Sequence, residues 1–237
     1  MMKKLITLSF FCLLFAGYSF GQSESKSYFT SGGEMIFSFA NIEDNGHKES
    51  SVLRWAPVFN VQSMWNSDIN EHFGVFTGLA VRNVGFIYDN YSATRMNGET
   101  AVGTYKKKFR TYNVGIPVGF KIGNLNKMFL YAGYEIEFPF LYKEKTFDGD
   151  DKIDKITGWF SDRNEWFQHG LLVGVQFPYG LNLKFKYYFS ELLNQDYAES
   201  NGNKPYAGLK ANVFYFSLSS SLFKNFDFEK PSPEKVY

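Results

Sequence analysis

Apolar and polar residues alternate in eight stretches of the chain, roughly 28–42, 52–65, 72–87, 109–122, 128–142, 165–177, 180–189 and 209–223. In the second, Leu53, Trp55, Phe59, Val61 and Trp65 share one face and Arg54, Asn60 and Gln62 the other. In the fifth, Met128, Leu130, Tyr134, Ile136, Phe138 and Phe140 alternate with Tyr131, Gly133, Glu135 and Glu137. The seventh sets Leu181, Leu183, Phe185, Tyr187 and Phe189 against Asn182, Lys184 and Lys186. A period of two with one apolar and one polar or small face predicts strands, and no amphipathic helical pattern competes with it.

Many of these runs exceed the five or six residues usual for a soluble strand. They match the ~9–11 residues that a tilted strand needs to cross a bilayer. The connections point the same way. Those after the second, fourth and sixth runs are short, at about 66–71, 123–127 and 178–179, and those after the third, fifth and seventh are long, at about 88–108, 143–164 and 190–208. An even strand count with short and long connections in alternation is the pattern of bacterial outer-membrane barrels, which have short periplasmic turns and long external loops. The expected fold is all-β, an eight-stranded antiparallel up-and-down transmembrane β-barrel with both ends in the periplasm. Pro57, Pro117 and Pro139 fall inside the runs, and each removes a ladder donor; bulges or strand ends are expected there.

The N-terminus reads as a processing signal. Lys3 and Lys4 precede an uncharged apolar stretch, Leu5 to Phe20, with small Ser19 and Gly21 before a cut at Gln22. The domain expectation is therefore a signal peptide at 1–21, a barrel at 22–223 and a periplasmic tail at 224–237. The single cysteine, Cys12, lies inside the signal, so the exported chain has no thiol for a disulfide or a metal. Aromatics make up 20% of the residues, which suits pleated surfaces. A net charge of +1 with no long basic run argues against nucleic-acid binding.

Two strands carry a family resemblance. Tyr112-Asn113-Val114-Gly115-Ile116-Pro117-Val118-Gly119-Phe120-Lys121 resembles the Ile-Pro…Lys strand of small outer-membrane β-barrel proteins of the Bacteroidota. Phe129-Leu130-Tyr131-Ala132-Gly133-Tyr134-Glu135 and the signal ending in Gly21-Gln22 are similar too. The resemblance spans nearly the whole exported chain and implies a fold and an outer-membrane location. It implies no catalytic residues.

The polar faces define candidate sites. Arg54, Arg82, Lys121, Lys184 and Lys186 are expected in the lumen with Glu135 and Glu137. Counted from the short turns, Arg82 and Glu137 come out at similar heights, as do Lys186 and Glu135. An eight-stranded barrel has an interior that side chains just fill, which favours a polar plug over a solute path. The acidic stretch Asp148, Asp150, Asp151 and Asp154 is a candidate cation-binding loop of hard oxygen ligands, although it lacks the twelve-residue pattern, so no metal is assigned. His47, His72 and His169 fall in a loop, a turn and an outward face, too far apart for a catalytic pairing. Trp159, Phe160 and Trp166 suit an interfacial girdle, and Tyr88, Tyr91 and Tyr105 with Lys106-Lys107-Lys108 suit the external interface near lipid head groups.

These observations predict a non-enzymatic outer-membrane protein without cofactors. Its partners are outer-membrane lipid and, through its external loops, other envelope proteins; nucleic acid is not among them. A narrow pore, a lipid-modifying enzyme and a soluble lipocalin-like barrel with an apolar interior are the alternatives.

Overall fold

The structure is a computed structural model and describes residues 26–93 and 103–220; the expected signal peptide and C-terminal tail lie outside them. The strands are β1 (Lys26–Asp44), β2 (His47–Ser50), β3 (Arg54–Ala56), β4 (Val61–Asp68), β5 (Phe73–Ser92), β6 (Thr104–Gly123), β7 (Phe129–Asp148), β8 (Asp151–Trp159), β9 (Gln168–Gln176), β10 (Leu181–Tyr188) and β11 (Leu209–Ser220). All pairings are antiparallel, and β11 returns to β1 over Glu34↔Ser219 to Asp44↔Leu209, which closes the ring. The wall has eight positions. One is shared by β2, β3 and β4, all paired to β1, and β8 and β9 both pair with β7.

The alternation reports the environment directly. Leu79, Val118, Ile122, Leu130, Val173 and Leu181 point outward and are exposed, whereas the alternating positions Arg82, Lys121, Glu135, Asn182 and Lys186 are buried. A soluble lipocalin-like barrel has the reverse arrangement, and that alternative is excluded.

Two of the expected long loops contain long stretches of strand. β5 and β6 run to Ser92 and from Thr104, and 143–164 folds largely into a β7–β8 hairpin. Strands β5, β6 and β7 have 20 residues each. At ~3.3 Å per residue that is roughly 65 Å of strand, far more than a tilted crossing of a ~30 Å hydrocarbon core requires. The excess stands past the exposed apolar band, at the long-loop end.

The prolines sit where the ladder is interrupted. Pro57 lies in the break between β3 and β4. Pro117 falls in a gap of the β5–β6 ladder, which skips from Thr77↔Val118 to Ala80↔Gly115. Pro139 adjoins the β6–β7 register shift, between the end of β9 pairing at Glu137 and the start of β8 pairing at Leu141. In each place a missing N–H costs little.

Candidate functional site

Inward-facing polar residues from seven strands meet in mid-lumen. Glu34 of β1 pairs with Arg82 of β5 and, at 2.7 Å, with Lys184 of β10. Arg82 also lies 3.3 Å from Glu135 of β7. Lys186 of β10 contacts both Glu135 at 2.6 Å and Glu137 at 2.5 Å. Three cations thus face three carboxylates, none more than 4% exposed. Neutral groups complete the shell: Gln62 accepts from Arg82 at 2.7 Å, Ser217 donates to Glu34 at 2.8 Å, and Tyr188 and Asn113 donate to Glu137 at 2.8 and 2.6 Å. A buried charge is tolerable when it is paired and hydrogen-bonded, and the cluster meets that condition.

Of the seven residues expected in the lumen network, Arg82, Lys184, Lys186, Glu135 and Glu137 meet in this cluster. Arg82 pairs with Glu34 and Glu135 in preference to Glu137, and Glu34 is an addition. Lys121 is elsewhere. It lies near the short-turn end, 2.5 Å from Asp68, and its ammonium donates to Tyr28 Oη at 3.2 Å and Asn66 Oδ1 at 3.3 Å.

Arg54 is a correction. The wall is interrupted at Pro57–Asn60, where Phe59 takes a positive φ of 63°. Backbone groups stripped of ladder partners must find others, and side chains supply them. Arg54 donates to Asn83 O at 3.2 Å and Asn83 Oδ1 at 2.5 Å, Ser38 Oγ donates to Gly85 O at 2.7 Å, and Asn83 N donates to Asn60 Oδ1 at 2.7 Å. Asn83 alternates with the inward-facing Arg82, so Arg54 patches the wall and does not join the ion cluster.

The long-loop end of the lumen is filled differently. Val84, Phe86, Tyr88, Tyr91 and Phe109 form a buried core with Leu192, Leu193 and Tyr206 from the 190–208 segment, which folds into the mouth. Phe86 and Phe109 approach to 4.9 Å between ring centroids, and Phe109 meets Tyr206 edge-on at 6.2 Å. Aromatic pairs of this kind add about 0.5–1.5 kcal/mol beyond area burial. Tyr88 and Tyr91 therefore face inward and do not belong to the external interface. Lys107 is likewise buried, paired with Glu144 and 4.2 Å from the Tyr91 ring centroid.

A polar latch holds the plug. Tyr206 donates to Glu144 at 2.5 Å and accepts from Arg163 at 2.9 Å, and Arg163 also donates to Glu199 at 2.8 Å. Burial, then the Glu144 charge, pushes the Tyr206 hydroxyl far above its ordinary range, so it stays a donor. Burial works against the Arg163 charge, but Tyr206 and Glu199 outweigh it and the pKa is raised. Glu165, on the same rim, is raised by burial and then by Glu191 and Asp196.

The expected cation loop is a hairpin tip. Asp148 pairs in register with Asp151 across a two-residue turn with Gly149 at φ 57°, and Asp154 lies opposite Thr146. Two residues leave no loop to wrap an ion, and Asp148, Asp150, Asp151 and Asp154 do not converge. Among the described residues no group of three or more acidic, histidine or cysteine side chains is placed to hold a metal. His47, His72 and His169 are separate: His47 opens β2, His72 follows β4, and His169 bonds Tyr134 on the outer face.

The model of the outer membrane protein beta-barrel domain family matches residues 17–194. No curated protein matches the chain. Similar solved structures include Ail, the attachment invasion locus protein of Yersinia pestis, in complex with the heparin analogue sucrose octasulfate. It is 12% identical with a TM-score of 0.38, over 81% of this chain and 97% of that one. Neisserial surface protein A is also 12% identical with a TM-score of 0.38, over 83% and 99%. OprG from Pseudomonas aeruginosa is 12% identical with a TM-score of 0.27, over 84% and 98%.

Proposed function

Because the chain belongs to the outer membrane protein beta-barrel domain family, we propose that it is a non-enzymatic, non-conducting outer-membrane barrel that acts through the surface at its long-loop end, as an adhesive or complex-forming component. One observation carries this reading: the lumen is filled at two levels, by the ion cluster and by the aromatic plug, while β5 to β8 extend well past the apolar wall. A filled interior leaves the projecting strands and the 190–208 segment as the surface for partners, which would be other envelope proteins or surface ligands.

The reading places the long-loop end outside the cell, as in barrels with short periplasmic turns. It also takes residues 1–21 as the export signal and 224–237 as a periplasmic tail. Protease treatment of intact cells tests it. Cleavage within 148–151 or 195–203 on intact cells, with the strands spared, is expected. Cleavage there only after the outer membrane is opened would overturn it.

A further inference from the structure

The outer face of the projecting strands carries an unbalanced block of positive charge. Inward side chains on this part of β6 and β7 are Lys107, Phe109, Tyr142 and Glu144, all buried; the alternating residues face outward. Across the ladder, Arg110 stands opposite Lys143. One step further out, Lys108 stands opposite Lys145, and Lys145 opposite Lys155, a row of three ammonium groups on three adjacent strands. Lys152, opposite Phe147, extends the block. Directly opposed like charges destabilise a sheet. Burial and then the charges of Arg110, Lys152, Lys155 and Lys108 lower the pKa of Lys145, so the groups lie within each other's field. Asp89 lies against Lys106 at the margin of the block, 3.7 Å away.

The height of the block identifies its counter-charge. Immediately below it, Tyr112, Phe140 and Trp159 form a continuous aromatic row across the same three strands, with centroids 6.5 and 5.9 Å apart. Below that row, Val114, Ile116, Val118, Phe120 and Ile122 of β6 are exposed and apolar. Such a girdle marks the edge of the hydrocarbon. Arg110 and Lys143 lie two residues above it and Lys108, Lys145 and Lys155 about four. At ~3.3 Å per residue, with a tilt of about 40°, these rows stand roughly 5 and 10 Å above the girdle. The polar head-group layer is ~5–8 Å thick on each side, so Arg110 and Lys143 stand within it and the Lys108, Lys145 and Lys155 row stands just above its outer edge, within reach of a lysine side chain. Flexible lysine stems reach back over apolar surface, as Lys143 does over Tyr112 at 5.2 Å.

We propose that this face is a binding site for phosphate groups of anionic lipids in the leaflet at the long-loop end, with Lys108, Lys145 and Lys155 as its centre. The site projects sideways from the wall, with Arg110 and Lys143 in the head-group layer and the three lysines bordering it from above, where a lipid is always at hand. In the cell it meets the outer leaflet only in the orientation proposed above, but a two-leaflet disc presents lipid to it in either orientation, so the two readings fail separately.

The test uses the full barrel in phosphatidylcholine nanodiscs containing a diphosphorylated glycolipid or its dephosphorylated analogue, with bound lipid counted by native mass spectrometry. Retention of the phosphorylated lipid alone is expected. Substituting Lys108, Lys145 and Lys155 together by Gln should weaken it roughly fivefold per lysine and about a hundredfold in all, and substituting the same three by Arg should preserve it. Because all three lie on the outer face beyond the wall, heat-dependent gel mobility should show both variants folded; the single Lys155→Gln variant, at the outermost strand, provides the same reading at smaller amplitude. Equal retention by wild type and the Gln variants overturns the proposal. So does lysine-dependent binding of soluble polyphosphate with no lysine dependence for lipid, which would assign the face to a soluble polyanion.

Discussion

The middle and the long-loop end of the lumen solve the same packing problem with opposite chemistry. In mid-lumen, six charges and a shell of amides and hydroxyls fill the bore, and stability rests on each charge keeping its opposite partner. At the long-loop end, aromatic rings fill it, and the few charges serve to latch a folded-in segment to the wall. The charged level is built from inward positions on seven wall strands. The aromatic level needs a connection, 190–208, to complete it. The comparison suggests a division of labour: a rigid, all-or-none middle and a locally releasable end.

The largest effect is expected in the middle. Lys186→Met leaves Glu135 and Glu137 without their nearest cation, and breaking a buried pair in this way costs about 3–5 kcal/mol. Urea titration in detergent micelles should show a single cooperative loss of the folded band. Adding Glu137→Gln to Lys186→Met should recover part of that loss; no recovery would mean the two residues are not coupled.

At the long-loop end the effect is smaller and local. Tyr206→Phe keeps the ring but removes the donor to Glu144 and the acceptor for Arg163, at about 1–3 kcal/mol. Hydrogen exchange should quicken across 190–208 while β9 and β10 keep their protection. A global loss of protection would erase the distinction between the two levels. Arg163→Met should act in the same region, with faster proteolysis at 195–203 as its main readout.

Arg54 sets the lower bound. Arg54→Met removes the bonds to Asn83, about 1–2 kcal/mol, and belongs to neither level. Combined with Lys186→Met, its cost should add within ~0.5 kcal/mol. A larger coupling energy would return Arg54 to the ion cluster.

These residues also show what could be read from the sequence. The eight runs and the short connections were plain, because a bilayer outside and a polar bore inside force period-two alternation. Arg82, Lys184, Lys186, Glu135 and Glu137 fell on the polar faces and could be assigned by register alone. Glu34 occupies an inward position of the first run, in line with Ser38, and that register was its only signal; the neighbouring Gly32-Gly33 obscured it. Arg54 kept the right parity but not the right role, because the break at Pro57–Asn60 opens the ladder and draws its guanidinium to Asn83. The aromatic plug gave no contrast to read. Asn83 to Tyr88 are buried on both faces, and Leu192, Leu193 and Tyr206 come from a stretch without periodicity. In β8 no residue is buried, so the hairpin lacks the buried face from which a strand could be inferred.

The central claim is that both levels close the bore. Single-channel recording of the purified barrel in planar bilayers tests it most directly. The account predicts no stepwise conductance for wild type, and none for Tyr206→Ala, since the ion cluster alone still fills the middle. Stable conductance steps from the wild-type barrel, altered by Glu137→Gln, would contradict it.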